Sequence, residues 1–232
     1  MLQPYQTLME KKGRLINLSA MKKIIPGFIK RFLIKILFLV RNSKENQIPF
    51  SVRVSKGVTI GKKCKIGTNV SLGPMVTLGN GVNIASGVFL ERISIGDGSA
   101  VESGIKITGC GEGKIIVGKE SYLGINNVLD WSDDITVGDF VHIAGPSTGI
   151  FTHTSAPMCL QSIPLHIKDK TYRPIAPVII ESNVYIGGNC TVYPGVKIGH
   201  HSVVAPNSAV NKDIEPYSMY GGVPARKIKD LK

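Results

Sequence analysis

Five histidines are the side chains best suited to acid–base chemistry near neutral pH: His142, His153, His166, His200 and His201. His153 stands in Ile-Phe-Thr-His-Thr, where a strand pattern ends and a long irregular segment begins. A histidine at such a place can reach a cleft and act as a general base. By position alone, a solvated loop histidine is the simpler interpretation. His142 adjoins a strand position and His200-His201 falls in a turn, which favours solvent exposure for these three.

A polar cluster one repeat before His153 is a candidate for binding a sugar. Amides and carboxylates can bind hydroxyl groups, and an indole can stack on the face of a sugar ring. A polar turn with a half-buried tryptophan is the alternative interpretation. The cluster comprises Asn126, Asn127, Asp130, Trp131, Asp133 and Asp134.

The four cysteines show neither a CxxC pair nor zinc-ligand spacing, so we predict no metal site. Cys64 and Cys190 occupy positions of the repeat described below that favour small buried residues. Because nothing in the pattern requires disulfides, a reducing cytoplasm is the expected compartment.

The elements that position these groups are strands of a repeating unit. An aliphatic residue returns every six positions, usually followed by glycine, as in Ile60-Gly61, Ile66-Gly67 and Leu72-Gly73. This period is neither that of a helix nor that of a plain strand. It predicts an all-β solenoid of hexapeptide repeats. A small or β-branched residue follows four positions later on the same face, as at Cys64 and Val70.

The repeat divides the chain. We predict a basic arm over 1–50, a solenoid over 51–215 and a C-terminal tail over 216–232. The six-residue period breaks at 109–116 and again over 151–179. An insertion as long as 151–179 in a regular solenoid is typical of a functional loop. Glycines in Gly-Asn-Gly (79–81) and Gly-Asp-Gly (96–98) predict turns with positive φ.

The arm carries most of the positive charge. Residues 1–50 hold ten Lys/Arg and two acidic residues, so they supply +8 of the net charge of +12. Residues 22–41 form an amphipathic helical pattern too interrupted by charge to span a bilayer. One interpretation has this helix capping the solenoid or packing on a neighbouring subunit. The other has it on an anionic membrane surface. No interleaving of basic and aromatic residues indicates nucleic-acid binding.

Several motifs together resemble one family. They are the hexads, Thr-His before an inserted loop, Val-Tyr-Ile-Gly-Gly (184–188), Val-Tyr-Pro-Gly-Val-Lys-Ile-Gly (192–199), Val-Asn-Lys-Asp-Ile (210–214) and Gly-Gly-Val-Pro-Ala-Arg-Lys-Ile (221–228). Over roughly residues 51–229 the chain resembles the left-handed β-helix acyltransferases, in particular the maltose/galactoside and polysaccharide O-acetyltransferases. The resemblance implies left-handed crossovers, which are an exception to the usual rule.

The resemblance also implies a mechanism. Family members are trimers that hold acetyl-CoA in a cleft between two solenoids, and a histidine, here His153, removes the proton from an acceptor hydroxyl. The implied cofactor-binding positions are Gly188, Ala205, Pro206, Asn211, Lys212, Arg226 and Lys229. Pro206 departs from the family pattern and removes one backbone N–H. An ordinary solvated tail is the alternative for Arg226 and Lys229. Tyr185 stands where the family often has tryptophan.

The function expected from the resemblance is acetyl transfer from acetyl-CoA to a sugar hydroxyl, in surface polysaccharide or glycolipid synthesis. N-acetylation of an amino sugar and a non-catalytic β-helix scaffold are the alternatives. The γ-type carbonic anhydrases share the solenoid but need closely spaced histidine ligands. No His-x-x-x-His or His-x-x-x-x-His occurs in this chain. We expect a cytoplasmic homotrimer, with contact to the inner membrane if residues 22–41 bind lipid.

Overall fold

Short strands wind as coils around a single apolar interior. The structure is a computed structural model that describes residues 45–167 and 169–232. This part of the chain makes about eight coils, and a coil contributes strands to three flat faces. The predicted all-β solenoid is confirmed, and its hexapeptide repeats fit a left-handed β-helix. The predicted helix over 22–41 lies outside the described residues.

The three faces consist mainly of parallel strands and are numbered here in the order in which a coil visits them; face I is divided into two sheets between β7 and β10. Face I contains β1 (Arg53–Val54), β4 (Ser71–Leu72), β7 (Phe89–Leu90), β10 (Lys106–Thr108), β13 (Val128–Asp130), β16 (Gly149–Ile150), β19 (Thr191–Val192) and β22 (Ala209–Val210). Face II contains β2 (Thr59–Ile60), β5 (Thr77–Leu78), β8 (Ile93–Ile95), β11 (Ile115–Val117), β14 (Ile135–Val137), β17 (Val178–Ile180) and β20 (Lys197–Ile198). Face III contains β3 (Lys65–Ile66), β6 (Asn83–Ile84), β9 (Ala100–Val101), β12 (Tyr122–Leu123), β15 (His142–Ile143), β18 (Tyr185–Ile186), β21 (Val203–Val204), β23 (Ser218–Gly221) and β24 (Arg226–Asp230).

The sequence offset between stacked coils changes along the solenoid. In the first coils, paired residues such as Arg53 and Ser71 are 18 positions apart. Around the two breaks in the repeat the offset grows, because β10 and β13 pair Lys106 with Val128. Residues 216–232, predicted as a tail, instead fold into β23 and β24. These two strands pair antiparallel and end face III.

The interior is filled as the repeat predicts. The aliphatic positions are buried, as at Ile66 and Leu72, and so are the small positions four residues later. Cys64 and Cys190 are buried free thiols that donate to corner carbonyl oxygens of the next coil, and their burial raises the pKa of both thiols. Buried serines make the same kind of bond, for example Ser121 to the carbonyl of Gly138 at 3.0 Å. Inward carbonyl groups therefore keep their hydrogen bonds.

The coils turn at three corners that use left-handed backbone. Gly81 and Gly98 have φ of 67° and 70°, which confirms the positive φ predicted for their turns. Asparagine, which tolerates this conformation, takes the same role at several corners: Asn69, Asn126, Asn183, Asn189 and Asn207. We call the corner between faces I and II, which follows β13 and β16, the His153 corner. The corner between faces III and I, which follows β18 and β21, is the Gly188 corner.

The inserted loop leaves the solenoid after β16 and rejoins it at β17. It contains one short helix, α1 (Ala156–Leu160), whose Met158 is buried while Leu160 and Leu165 are exposed. Among the residues that the structure describes, none forms a helix of the length and apolarity needed to cross a membrane.

Candidate active site

His153 lies at the mouth of the inserted loop. It follows the end of β16 by three residues and forms a bridge with Ile175, near the loop's return to the solenoid. Its side chain is 28 % exposed, so the ring combines a packed edge with an edge open to solvent. Thr152, just before it, is buried and donates its hydroxyl to the carbonyl of Asp130 at 2.6 Å. The backbone next to the His153 ring is therefore held in place by a buried hydrogen bond.

Asp130 holds the His153 ring from the preceding coil. His153 Nδ1 lies 2.6 Å from Asp130 Oδ2, and the His153 backbone N–H reaches the same oxygen at 3.2 Å. Ser132 Oγ lies 2.6 Å from Asp130 Oδ1 and 3.1 Å from His153 Nδ1. The Asp130 side chain is 1 % exposed. This buried carboxylate thus orients the ring from behind, which is the arrangement a general base requires.

The carboxylate is ionised in this setting. Burial raises the pKa of Asp130. Hydrogen bonds from Ser132, from His153 and from backbone N–H groups together lower this pKa by a larger amount, so the net shift is downward. An ionised carboxylate only accepts hydrogen bonds, so the facing Nδ1 carries the proton. Nε2 is then left with a free lone pair. Asp130, predicted to bind the acceptor sugar, is instead the partner of His153.

Three glycines two residues apart allow the coils to approach closely at the His153 corner. A Cβ on Gly109 would lie 2.5 Å from the Trp131 ring, and one on Gly111 would meet the carbonyl oxygen of Ser132. A Cβ on Gly113 would meet the backbone of Asp133. The sequence did not identify this glycine strip (109, 111 and 113); it indicated only a break in the six-residue period at 109–116. The alternation of glycines in Gly-Cys-Gly-Glu-Gly was the available signal.

Trp131 does not offer a free ring for sugar stacking. The Arg92 guanidinium lies over the ring, 4.7 Å from its centroid, and Gly109 lies against the six-membered part. The indole N–H is buried and without a hydrogen-bond partner in the described part of the chain. The predicted role in stacking on a sugar stays a prediction, and the positions of Arg92 and Gly109 argue against it. The alternative of a half-buried tryptophan in a polar turn agrees with the structure.

The other predicted acceptor residues lie at two different corners of the solenoid. Asn126 and Asn127 precede β13 and lie at the Gly188 corner, whereas Asp133 follows β13 at the His153 corner. Asn127 is fully buried; its amide donates to the carbonyl of Ile143 at 3.1 Å and accepts from the N–H of Thr148 at 2.9 Å. Both ends of this side chain are used inside the coil, so it cannot bind an acceptor.

Asp133 remains at the site. It is half-buried, its N–H donates to Thr152 Oγ1 at 2.9 Å, and its Oδ1 accepts from the N–H of Asp134 at 2.8 Å. Asp134 in turn accepts from the N–H of Lys114 at 3.0 Å, which ties it to the preceding coil. Asp133 thus contacts Thr152, the residue before His153, and its role in binding an acceptor stays a prediction.

Gly188, Ala205 and Pro206 stack at the Gly188 corner. A Cβ on Gly188 would lie 2.5 Å from the carbonyl oxygen of Gly145, so only glycine lets these two coils approach so closely. The Ala205 N–H is used by the carbonyl of Tyr220 at 2.8 Å, and Pro206 has no N–H and is exposed. The corner therefore consists of backbone and small side chains, and its role in binding a cofactor stays a prediction.

The remaining predicted cofactor residues lie elsewhere. Asn211 and Lys212 follow β22 at the His153 corner and are exposed. Arg226 and Lys229 are exposed on β24. Between them, Lys227 contacts both Glu215 and Asp230 at 2.8 Å. The structure thus distributes the predicted cofactor residues over two corners and one edge strand.

The other histidines have ring partners of a different kind. His142 contacts Tyr122 and Tyr185, with ring centroids 4.5 and 5.5 Å away, on the outer surface of face III. His200 and His201 contact each other, and His166 is exposed in the inserted loop. Within residues 45–167 and 169–232, only the His153 ring is paired with a carboxylate. The same residues contain no group of three or more His, Cys, Asp or Glu arranged to hold a metal ion.

Comparison with known proteins gives the class. The family described as bacterial transferase hexapeptide (six repeats) matches residues 57–92 and 177–212, so the chain carries the repeats of that family. The resemblance to hexapeptide-repeat acyltransferases is confirmed by individual relatives. A chloramphenicol acetyltransferase of Klebsiella aerogenes is 51 % identical over 51 residues, which is 22 % of this chain and 24 % of that protein.

Two further relatives cover more of the chain. The galactoside O-acetyltransferase of Escherichia coli K12 is 31 % identical over 119 residues, which is 50 % of this chain and 54 % of that protein. The solved structure of AntD, an N-acyltransferase from Bacillus cereus in complex with dTDP and 3-hydroxybutyryl-CoA, shares the fold with a TM-score of 0.53. It is 22 % identical, and the match covers 88 % of each chain. The chain spans between a quarter and about half of the length of these curated relatives.

Proposed function

We propose that this protein is a CoA-dependent O-acetyltransferase that moves the acetyl group of acetyl-CoA to a sugar hydroxyl. The observation that carries the proposal is the buried Asp130 carboxylate holding Nδ1 of His153 at the mouth of the inserted loop, with Nε2 left free. Its setting is a fold shared with an N-acyltransferase and a sequence related to O-acetyltransferases.

In the proposed reaction His153 Nε2 removes the proton of the acceptor hydroxyl. The hydroxyl oxygen attacks the thioester carbonyl, and a backbone N–H stabilises the oxyanion that develops. When the intermediate collapses, the carbon–sulfur bond breaks and the imidazolium returns its proton to the CoA thiolate. The products are an acetyl ester and CoA. Asp130 stabilises the imidazolium formed between these steps, because its carboxylate faces Nδ1.

We propose that acetyl-CoA lies along the Gly188 corner. Glycine at 188 lets the coil pack closely on the carbonyl of Gly145, and the half-exposed Ala205 and Gly188 present no bulky side chain that would block the thin pantetheine arm. Arg226 and Lys229 are exposed cations suited to the CoA phosphates. Asn211 and Lys212 would serve the adenosine end. On the acceptor side, Asp133 would accept a hydrogen bond from a sugar hydroxyl.

The proposed site needs two copies of the chain. The His153 corner and the Gly188 corner lie at opposite ends of the face I strands. A face lies between the two corners, and six extended residues, the repeat length of one face, span about 20 Å. In a homotrimer the His153 corner of one copy can face the Gly188 corner of the next. A cytoplasmic location and a role in polysaccharide or glycolipid synthesis complete the proposal.

An acceptor screen tests the activity. Acetyl-CoA is offered with free sugars, nucleotide sugars and lipid-linked glycans, and CoA release is measured with a thiol reagent. We expect release with a hydroxyl acceptor in the wild type, none above background with His153→Ala, and normal release with His166→Ala. Release with amino sugars alone would replace the O-acetyltransferase by an N-acetyltransferase. Absence of release and of CoA binding would favour a scaffold.

Mixed oligomers test the shared site. His153→Ala and Gly188→Trp are each expected to be inactive. Random mixing of the two in one trimer leaves about one site in four with both corners intact, so co-expressed variants should regain roughly a quarter of wild-type activity. If mixed oligomers form and remain inactive, each site lies within a single copy and the proposed arrangement is wrong.

A further inference from the structure

Ser132 is a buried side chain in contact with both members of the Asp130–His153 pair. Its side chain is 1 % exposed, and its Oγ lies 2.6 Å from Asp130 Oδ1 and 3.1 Å from His153 Nδ1. Its own N–H also donates to Asp130 Oδ1, at 3.1 Å. On its other side, Ser132 Oγ accepts the backbone N–H of Cys110 at 3.0 Å. The Ser132 hydroxyl is therefore surrounded by Asp130, His153 and the backbone of Cys110.

The proton of the Ser132 hydroxyl has one destination. A hydroxyl has a single proton, and an ionised Asp130 can only accept. Asp130 Oδ1, at 2.6 Å, is the nearest acceptor for the Ser132 proton. Ser132 Oγ in turn accepts the Cys110 N–H at 3.0 Å, and the Cys110 thiol, with Sγ at 3.3 Å, can donate to it as well. Ser132 Oγ then has no proton to give to His153 Nδ1. Nδ1 must itself be the donor, to Asp130 Oδ2.

We propose that Ser132 is a positioning residue that, by fixing the orientation of the Asp130 carboxylate, holds His153 with its proton on Nδ1 and Nε2 unprotonated. Two donors from Ser132 hold Oδ1, and this leaves Oδ2 aimed at the ring. The kinetic consequence rests on the proposed acetyl transfer, whereas the position of the proton does not.

The glycine strip is what seats Ser132. A Cβ on Gly111 would overlap the Ser132 carbonyl oxygen, and the Cys110 N–H that meets Ser132 Oγ comes from between two of its glycines. The irregular segment Gly-Cys-Gly-Glu-Gly thus gains a role, since it brings a backbone donor from the preceding coil to the hydroxyl that orients Asp130.

The experiment uses the full chain and two serine variants. Ser132→Ala removes the hydroxyl without adding volume. Ser121→Ala is the matched control, because Ser121 is also a buried serine that donates to a carbonyl, of Gly138 at 3.0 Å, and accepts a backbone N–H, of Val141 at 3.0 Å. Ring ¹⁵N–¹H correlation spectra report which nitrogen of His153 carries the proton. Steady-state kinetics report kcat and the KM for acetyl-CoA separately.

We expect the wild-type spectrum to show His153 in the Nδ1–H form and the Ser132→Ala spectrum to show a mixture of both tautomers. kcat should fall about tenfold with little change in the KM for acetyl-CoA. Ser121→Ala should lower the melting temperature to a similar extent and leave the His153 spectrum and kcat unchanged.

The proposal is overturned if wild-type His153 is protonated on Nε2, a result that does not depend on any variant folding. It is also overturned if folded Ser132→Ala keeps a pure Nδ1–H spectrum. A wild type with the expected tautomer but no acetyl transfer would remove the proposed function and leave the positioning role of Ser132 standing.

Discussion

The two ends of face I are built in opposite ways. At the Gly188 corner successive coils keep their regular spacing, and the surface consists of stacked backbone and small residues such as Gly145, Gly188 and Ala205. At the His153 corner the repeat is broken by the glycine strip and by the inserted loop, and polar side chains from three successive coils meet.

This difference shows what regular and irregular coils can each supply. The Gly188 corner provides a strip of small residues, because a Cβ on Gly188 would lie 2.5 Å from the carbonyl oxygen of Gly145. In the regular coils most inward positions are aliphatic, and a buried charge without a partner is costly. The breaks in the repeat create the room for Asp130, Ser132 and His153 to contact one another.

The largest effect is expected from the base. His153→Ala should lower kcat by about 10²–10⁴-fold and leave the KM for acetyl-CoA nearly unchanged, because the ring lies away from the Gly188 corner. His166→Ala, an exposed histidine in the same loop, is the control and should stay within about twofold of wild type. Near-normal turnover of His153→Ala would move the assignment of the base to His166.

The second prediction concerns the contribution of the buried Asn127 side chain, beneath the Gly188 corner, to the stability of the fold. Asn127→Ala leaves the carbonyl of Ile143 and the N–H of Thr148 without their buried partner, so the free energy of unfolding should fall by about 3 kcal/mol. Asn126→Gly is the control: the residue is exposed with φ of 58°, and glycine keeps that conformation. Urea unfolding measures both. An unchanged stability of Asn127→Ala, with a raised KM for the acceptor, would restore its predicted binding role.

A smaller change is expected from a methyl group at the Gly188 corner. In Gly188→Ala the new Cβ meets the Gly145 carbonyl oxygen, so the corner must shift and the KM for acetyl-CoA should rise about tenfold with kcat little changed. Gly73→Ala makes a comparable close approach, to the carbonyl oxygen of Leu90, in a coil far along the chain. Equal KM values in the two variants would show that this strip does not contact the donor.

The smallest effect should come from the exposed cations of β24. Replacing both Arg226 and Lys229 by Ala should raise the KM for acetyl-CoA about threefold at low salt, and the effect should shrink as salt screens the phosphates. Lys227→Ala is the control on the same strand, since Lys227 is already engaged with Glu215 and Asp230. An identical KM for acetyl-CoA and for its dephospho analogue in the wild type would mean that these cations are simply solvated.

The site could be predicted only in part. The end of a strand pattern and the start of a loop made His153 a candidate, and the resemblance to the acyltransferases selected it as the predicted base. Asp130 was placed in the acceptor group, because the six-residue period suggests coils 18 residues apart and the two residues are 23 positions apart. In the coil that runs from Asp130 to His153 the stacking offset is 21, because Val128 pairs with Gly149. The arm, the membrane contact of residues 22–41 and the domain limits stay predictions.

The sequence by itself determined the solenoid, its inward positions and the corner glycines with positive φ. Each of these features depends on residues only a few positions apart in the chain. Only the tertiary structure decided which side chains meet across coils. Trp131 faces Arg92 and Gly109, Asn127 turns into the core, and Asp130 turns to His153. Such contacts depend on the number of residues in each coil, which includes every insertion. A local sequence pattern does not give that number.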